Sequence, residues 1–303
     1  MSINITTAFV QQYKANVYHL TQQKGSKLRS GVRVENIVGK TGYFDQIGAT
    51  TARKRSSRHS DTPRMDTPHS RRRVALEDYD WADLIDNEDQ IRMLIDPTSQ
   101  YAEAAAMAMG RAMDDAIIAA ALGTSYTGED GSTSTSYDSN MTVGIQTVWP
   151  GVTAADTGLN VAKLIAASKN LASNDVDPDE DKYVAVNARQ ISSLLKDEKL
   201  ASHDYNILRP LVDGKVTTYM GFTFLPTNRI TTDGSGDDEV LYWAKGGMTL
   251  GIGQDIQTKI SERADKNYAT QVFTSMSIGA TRMEEIRVGK ILCDPGASPT
   301  TDA

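Results

Sequence analysis

The chain has 303 residues, with 32 Lys+Arg against 39 Asp+Glu for a net charge of −7, and is 23% charged and 39% hydrophobic. That composition belongs to a folded protein and excludes a collagen-like, coiled-coil or wholly disordered chain. The charge is uneven: residues 53–73 hold eight bases and two acids, a net of +6, which leaves −13 for the remainder.

Residues 7–24 predict a helix, because Phe9, Val10, Tyr13, Val17 and Leu20 share one face and Gly25 offers a stop. Val32-Arg33-Val34-Glu35 alternates as a strand does, and glycines at 39, 42 and 48 punctuate the next stretch of chain. After the basic segment, Val74-Ala75-Leu76 and Tyr79 through Ile85 read as a returning strand. The expectation is two long strands joined by an extended polar arm, a length of loop that compact domains seldom carry without purpose.

The clearest element is a helix over 97–122, with Asp96 as N-cap, Pro97 at its first position and Gly123 beyond its end. At about 1.5 Å per residue it makes a rod of roughly 39 Å. Its surface is almost all Ala, Met and Ile, which predicts that other elements cover it. Residues 124–158 are rich in Gly, Ser and Thr and read as a loop between lobes.

From 159 to 247 helix and strand alternate. Helices are predicted over 159–173 and 190–200, and strands at Tyr183–Val186, Phe222–Leu225 and Val240–Trp243. The tail is strand-rich: Val272, Thr274, Met276, Ile278 and Ala280 point one way, and Ile286 and Val288 alternate in a final strand.

The sequence carries no catalytic signature. A single cysteine, Cys293, excludes an intrachain disulfide and a thiolate-rich metal site. The histidines, His19, His59, His69 and His203, have no metal-binding spacing. Gly39-Lys40-Thr41 imitates the end of a phosphate loop, but Val34 stands where its first glycine belongs. Gly251-Ile252-Gly253 has Ile256 in place of the third glycine of a dinucleotide fingerprint. Asp175, Asp177 and Asp179 start like a calcium loop, but Glu180 and Val186 fill the later glycine and acid positions. His203-Asp204 lacks a paired nucleophile. No catalytic residue, cofactor or metal is expected. No apolar run approaches the roughly 20 residues that span a bilayer. The first residues lack a signal peptide's basic flank and apolar stretch, so a cytoplasmic product without a membrane partner is expected.

The charge pattern is the informative feature. The basic arm comprises Arg53, Lys54, Arg55, Arg58, Arg64, Arg71, Arg72 and Arg73. An acidic belt comes directly after it: Glu77, Asp78, Asp80, Asp83, Asp86, Glu88 and Asp89, with no base among them. Three readings stand. Both stretches are solvated faces that keep the protein soluble; or the arm binds nucleic-acid phosphates; or the arm reaches an acidic surface of another copy. An acidic body and an arm without aromatic residues weigh against nucleic acid. Arginine outnumbers lysine seven to one in the arm, and guanidinium forks carboxylates, which suits the third reading. That reading expects Ala at 71, 72 and 73 to impair assembly and leave the subunit's melting unchanged.

The order of these parts resembles the major capsid protein of tailed bacteriophages, with the Hong Kong phage-type capsid fold shared by encapsulins. Asp96-Pro97 before the Ala/Met-rich helix, Leu225-Pro226-Thr227-Asn228 after a strand and Arg263 to Tyr268 before the long late strand carry it locally. The resemblance implies an α+β fold. An N-terminal arm (1–27) would lead into an extended two-stranded loop (28–80). A peripheral domain (81–158) would hold the spine helix, and an inserted α/β axial domain (159–247) would precede a return to the peripheral domain and tail (248–303).

It also implies a structural subunit rather than an enzyme. Copies would tile hexamers and pentamers of an icosahedral head that encloses DNA without sequence-specific binding. Assembly in the bacterial host cytoplasm, a separate scaffolding protein, a portal and cement proteins belong to the same implication. Lys54 has no evident Asn partner for an isopeptide weld, so noncovalent arms are expected. The alternatives are an encapsulin-like compartment shell and an α/β enzyme with a long basic flap.

Overall fold

The structure, a computed structural model, describes residues 22–55, 57–59, 61–62, 64–86, 98–196 and 218–296. The expected helix over 7–24 lies mostly outside them, as do Asp96, Pro97, Glu88, Asp89 and His203-Asp204. In chain order come β1 (Arg33–Asn36), β2 (Thr41–Ile47), β3 (His69–Ala75), β4 (Glu77–Ile85) and helix α1 (Thr98–Leu122). Next are β5 (Ser125–Thr127), β6 (Thr133–Thr135), β7 (Thr142–Val143), α2 (Val161–Ser173), β8 (Lys182–Val186) and α3 (Ala188–Lys196). The last are β9 (Thr218–Tyr219), β10 (Phe222–Pro226), β11 (Asp238–Ala244), β12 (Met248–Arg263), β13 (Ala269–Arg282) and β14 (Val288–Cys293).

The strands form three sheets, ordered β1-β12-β13-β4, β7-β14-β11-β8-β10-β9 and β2-β3-β5-β6. The chain divides into two compact units, each discontinuous in sequence. Among described residues, one unit takes 22–26, Asp78–Ala112 and Gln254–Ser277; the other takes Lys27–Glu77, Met113–Gly253 and Ile278 onward.

In the second unit the six-stranded sheet carries the main core. β8 and β10 are parallel neighbours with α3 in the connection between them, as the alternation predicts. β11 is buried along its whole length because it pairs on both sides, with β14 and β8. Leu164 and Leu171 of α2 pack onto Val184, Val186, Val240 and Tyr242. Met220 and Gly221 both have positive φ, 52° and 78°, and make the tight two-residue turn that joins β9 to β10. The 159–247 lobe needs enlarging, since its sheet also takes in β7 and β14. β11 is a central strand, and strands from outside that interval satisfy its far edge.

The early strands differ from the expectation. β1 does not pair with the returning chain near Val74; it runs parallel to β12. The hairpin is β2 against β3, from Thr41↔Ala75 to Ile47↔His69. Residues 124–158 are not simply loop, because β5 pairs with the open edge of β3 and β7 with β14. A stretch of Thr and Ser has no hydrophobic period, so this pairing is invisible until a neighbouring edge supplies it.

Helix α1 is covered nearly all round: from Gln100 to Leu122 only Glu103, Asp115 and Ala119 are exposed. Gly110 is where the preceding chain crosses it, since a Cβ there would lie 2.5 Å from the carbonyl carbon of Gly25. Asp114 is fully buried on the same helix and accepts the backbone N–H groups of Lys27 and Leu28 at 3.0–3.1 Å. At its C-terminal end the buried Arg282 donates Nη1 to the carbonyls of Ala121 and Gly123 at 2.7 and 3.0 Å. Helix carbonyls that have no intrahelical partner are thereby satisfied.

On β13 the predicted alternation holds at Val272, Thr274, Met276 and Ile278. It breaks at Gly279, which is buried because a Cβ would meet the Ala75 carbonyl oxygen at 2.0 Å; Ala280 turns half outward. Ile286 lies in a short 3-10 turn rather than in the final strand, which begins at Val288.

Candidate intersubunit surfaces

The basic arm splits in two. Arg53, Lys54, Arg55, Arg58 and Arg64 lie on the connection between β2 and β3, and every one is exposed. Gly48 N–H donates to the Pro68 carbonyl at 2.8 Å and closes the base of that connection. Arg55 donates to the Ser57 carbonyl at 2.9 Å, a contact within the segment itself. Residues 48–68 hold five bases and two acids, a net of +3.

Arg71, Arg72 and Arg73 instead lie on β3 and project alternately from its two faces. Arg71 stands directly opposite Asp45 and pairs with it at 2.6 Å, with its guanidinium 5.6 Å from the centre of the Tyr43 ring. The Arg71 hydrogen bond holds the Asp45 carboxyl below its ordinary range. Arg73 stands opposite Tyr126, with its guanidinium 4.6 Å from the ring centre. Arg72 points the other way into the protein, only 6% exposed. It donates Nε to the Met283 carbonyl at 2.8 Å and Nη2 to both oxygens of Glu285 at 2.7 and 2.5 Å.

These three arginines serve their own chain. Replacing all three is therefore expected to disturb the subunit as well as its assembly, because Arg72 is bonded inside the chain. A run of three arginines in sequence does not show which face of a strand each will take. The burial of the middle one depends on Glu285, 213 residues further on.

The acidic belt lies along β4, an edge strand of its sheet. Glu77, Asp78 and Asp80 are exposed, Asp83 is half-buried and accepts the Leu84 N–H at 2.8 Å, and Asp86 is exposed beyond the strand. Tyr79, Trp81 and Ile85 take the more covered face, so Asp78 and Asp80 point outward together. Charged residues on an edge strand also keep it from pairing indiscriminately.

Other charged side chains went unnoticed in the sequence. Lys163 is fully buried and donates to the carbonyls of Thr157 and Leu292 at 2.6 and 2.8 Å. Asp238 is 1% exposed and accepts from Asn187, Gln190 and Arg189 at 2.7, 2.8 and 3.1 Å. A charge inside an apolar period was the available signal, as at Lys163 between Ala162 and Leu164. These groups lock the fold and do not face solvent.

Among the described residues no group of three or more His, Cys, Asp or Glu could hold a metal ion, and no helix is long and apolar enough to cross a membrane. Gly39, with φ of 100°, turns the chain between β1 and β2. Asp175 and Asp177 form the turn after α2, where the Asp177 carboxylate accepts the Asp179 N–H at 3.0 Å.

A family model described as phage capsid protein matches residues 5–295. No curated protein matches the chain. The capsid structure of the Cyanophage P-SCSP1u is similar over 96% of this chain and 94% of that one, with 18% identity and a TM-score of 0.73. The capsid asymmetric unit of Cyanophage Pam1 is similar over 96% and 98%, with 15% identity and a TM-score of 0.69. The head structure of Helicobacter pylori bacteriophage KHP40 is similar over 97% and 98%, with 9% identity and a TM-score of 0.73. At such identities the likeness is one of fold, and it extends over nearly the whole chain.

Proposed function

The chain belongs to the phage capsid protein family, and from that premise we propose that its copies close into hexamers and pentamers of an icosahedral head around phage DNA. It is a structural subunit of a virion capsid. The observation that carries the proposal is the end-to-end family match, residues 5–295 of 303. It favours neither an encapsulin-like compartment nor an α/β enzyme with a basic flap.

The work of such a subunit is association. Five unburied bases on one connection and an outward-facing acidic edge are complementary surfaces that two copies satisfy in each other. A head-to-tail contact of that kind, between different patches on two copies, closes into rings where the rotation from copy to copy closes. The net charge of −7 favours enclosing a polyanion rather than gripping its phosphates, and in this reading the DNA is enclosed without sequence-specific binding. We assign as further partners a separate scaffolding protein, a portal and cement proteins, with assembly in the host cytoplasm.

Electron microscopy and sedimentation of the purified protein test this reading. Closed shells or capsomer rings are the expected outcome. A small defined oligomer that turns over a substrate would overturn it.

A further inference from the structure

In the sheet β2-β3-β5-β6, β3 pairs with both β2 and β5, and β5 with β6. Three residues of this sheet are bonded to one short segment, residues 282–285. Gln46 Nε2 and Arg72 Nε both donate to the Met283 carbonyl, at 3.0 and 2.8 Å. Arg72 Nη2 reaches both oxygens of Glu285 at 2.7 and 2.5 Å. Arg282 Nη2 donates to the Thr135 carbonyl at 3.4 Å. Arg282 also holds the end of α1 through the carbonyls of Ala121 and Gly123, and its Nε lies 3.7 Å from the Glu285 carboxylate. One carboxylate therefore stands between a guanidinium on the sheet and a guanidinium on the helix end.

The charges there do not balance. The side chains of Arg72 and Arg282 are 7% and 0% exposed, and that of Glu285 is 22% exposed. Among the described residues no second acid bonds either arginine. Arg72 Nη1 and Arg282 Nε are buried with no hydrogen-bond partner, a costly and uncommon condition for a donor. Burial presses the Arg282 guanidinium below its ordinary range; Glu285 opposes this and Arg72 adds to it. Without the carboxylate, two like charges would face each other out of water.

We propose that Glu285 is a positioning residue: a latch that ties the four-stranded sheet to the end of α1 and so sets the direction in which the β2–β3 hairpin leaves the body. The latch is a property of the single subunit. Its consequence for assembly rests on the capsid reading.

Double electron–electron resonance on the full-length, unassembled subunit tests it. Nitroxides at His69→Cys and Lys169→Cys, both exposed positions, measure the hairpin against α2. Cys293 is buried and takes no label. With Glu285 present, one narrow distance is expected. Glu285→Gln should broaden the distribution at least twofold, and Glu285→Asp, which keeps the carboxylate, should narrow it again. Glu285→Gln with Arg72→Met also removes the surplus charge. The melting temperature of that double variant should return toward the wild type while its distances stay broad, an outcome that a purely stabilising ion pair would not give. A narrow distance in the double variant would overturn the latch, whether or not Glu285→Gln folds alone.

Shell yield should fall at least tenfold with Glu285→Gln. Full yield with broad distances would overturn the consequence for assembly. No shells from the wild type would overturn the capsid reading, and the distances would still decide the latch.

Discussion

At the scale of the residue, Arg72 is the clearest case of a charge whose role is set by its surroundings. Removing one partner of a buried, hydrogen-bonded ion pair leaves the other uncompensated, at a cost of about 3 kcal/mol. Arg72→Ala is expected to lower the unfolding free energy of the unassembled subunit by that amount in urea. Arg58→Ala, on the exposed connection, should change it by no more than about 0.5 kcal/mol. Equal effects would mean that Arg72 is not bonded to Glu285.

Lys163 makes a prediction in pH. Burial, opposed by the fields of Cys293, Asp237, Asp156 and Asp294, lowers its pKa below the ordinary 10.5. Between the lowered folded value and 10.5 the unfolded chain holds a proton that the folded chain has released, so stability rises with pH across that window. Lys163→Met removes this linkage. The stability of the wild type minus that of the variant should therefore grow as pH approaches 10.5, and a flat difference would count against a strained buried ammonium. Cys293, its buried neighbour, has its thiol pushed up to about 12 by the same desolvation.

At the scale of the element, α1 shows propensity and packing in opposition. Gly→Ala inside a helix ordinarily gains about 1 kcal/mol. At Gly110 the added Cβ would meet the backbone of Gly25 at 2.5 Å, so Gly110→Ala is expected to lower the melting temperature instead. A gain would show that residues 22–26 do not cross the helix there. Ala106→Pro is expected to unfold the subunit outright, because it removes a helix hydrogen bond and adds a clash costing about 3 kcal/mol or more. Circular dichroism checks both. The C-terminal end of this helix was legible, because Gly123 follows its last residue, Leu122. The β1–β12 pairing was not legible, since a four-residue strand carries no mark of its partner.

At the scale of the whole molecule, the expected behaviour is association controlled by charge. Replacing Arg53, Lys54, Arg55, Arg58 and Arg64 by Ala should reduce shell yield and leave the melting temperature of the unassembled subunit within about 1 °C, given how little exposed charges contribute to folding. Raising salt should weaken wild-type assembly more than that of the variant, because exposed ion pairs are screened over about 10 Å at 0.1 M. Equal assembly by both at every salt, followed by light scattering, would remove the arm from the account.

The sequence by itself determined the kinds of element and their order: a long apolar helix, an α/β stretch, late alternating strands, and a basic segment followed by an acidic one. These arise from local periodicity and composition, which neighbours along the chain dictate. Only the tertiary structure decided which of the eight bases find partners within the chain. Arg71, Arg72 and Arg73 are drawn in by Asp45, Glu285 and Tyr126, partners 26, 213 and 53 positions away. Contacts between residues so far apart are set by strand pairing and packing, which no local pattern encodes. The net charge of −7 thus resolves into charges paired inside the subunit and others exposed on one connection and one strand edge.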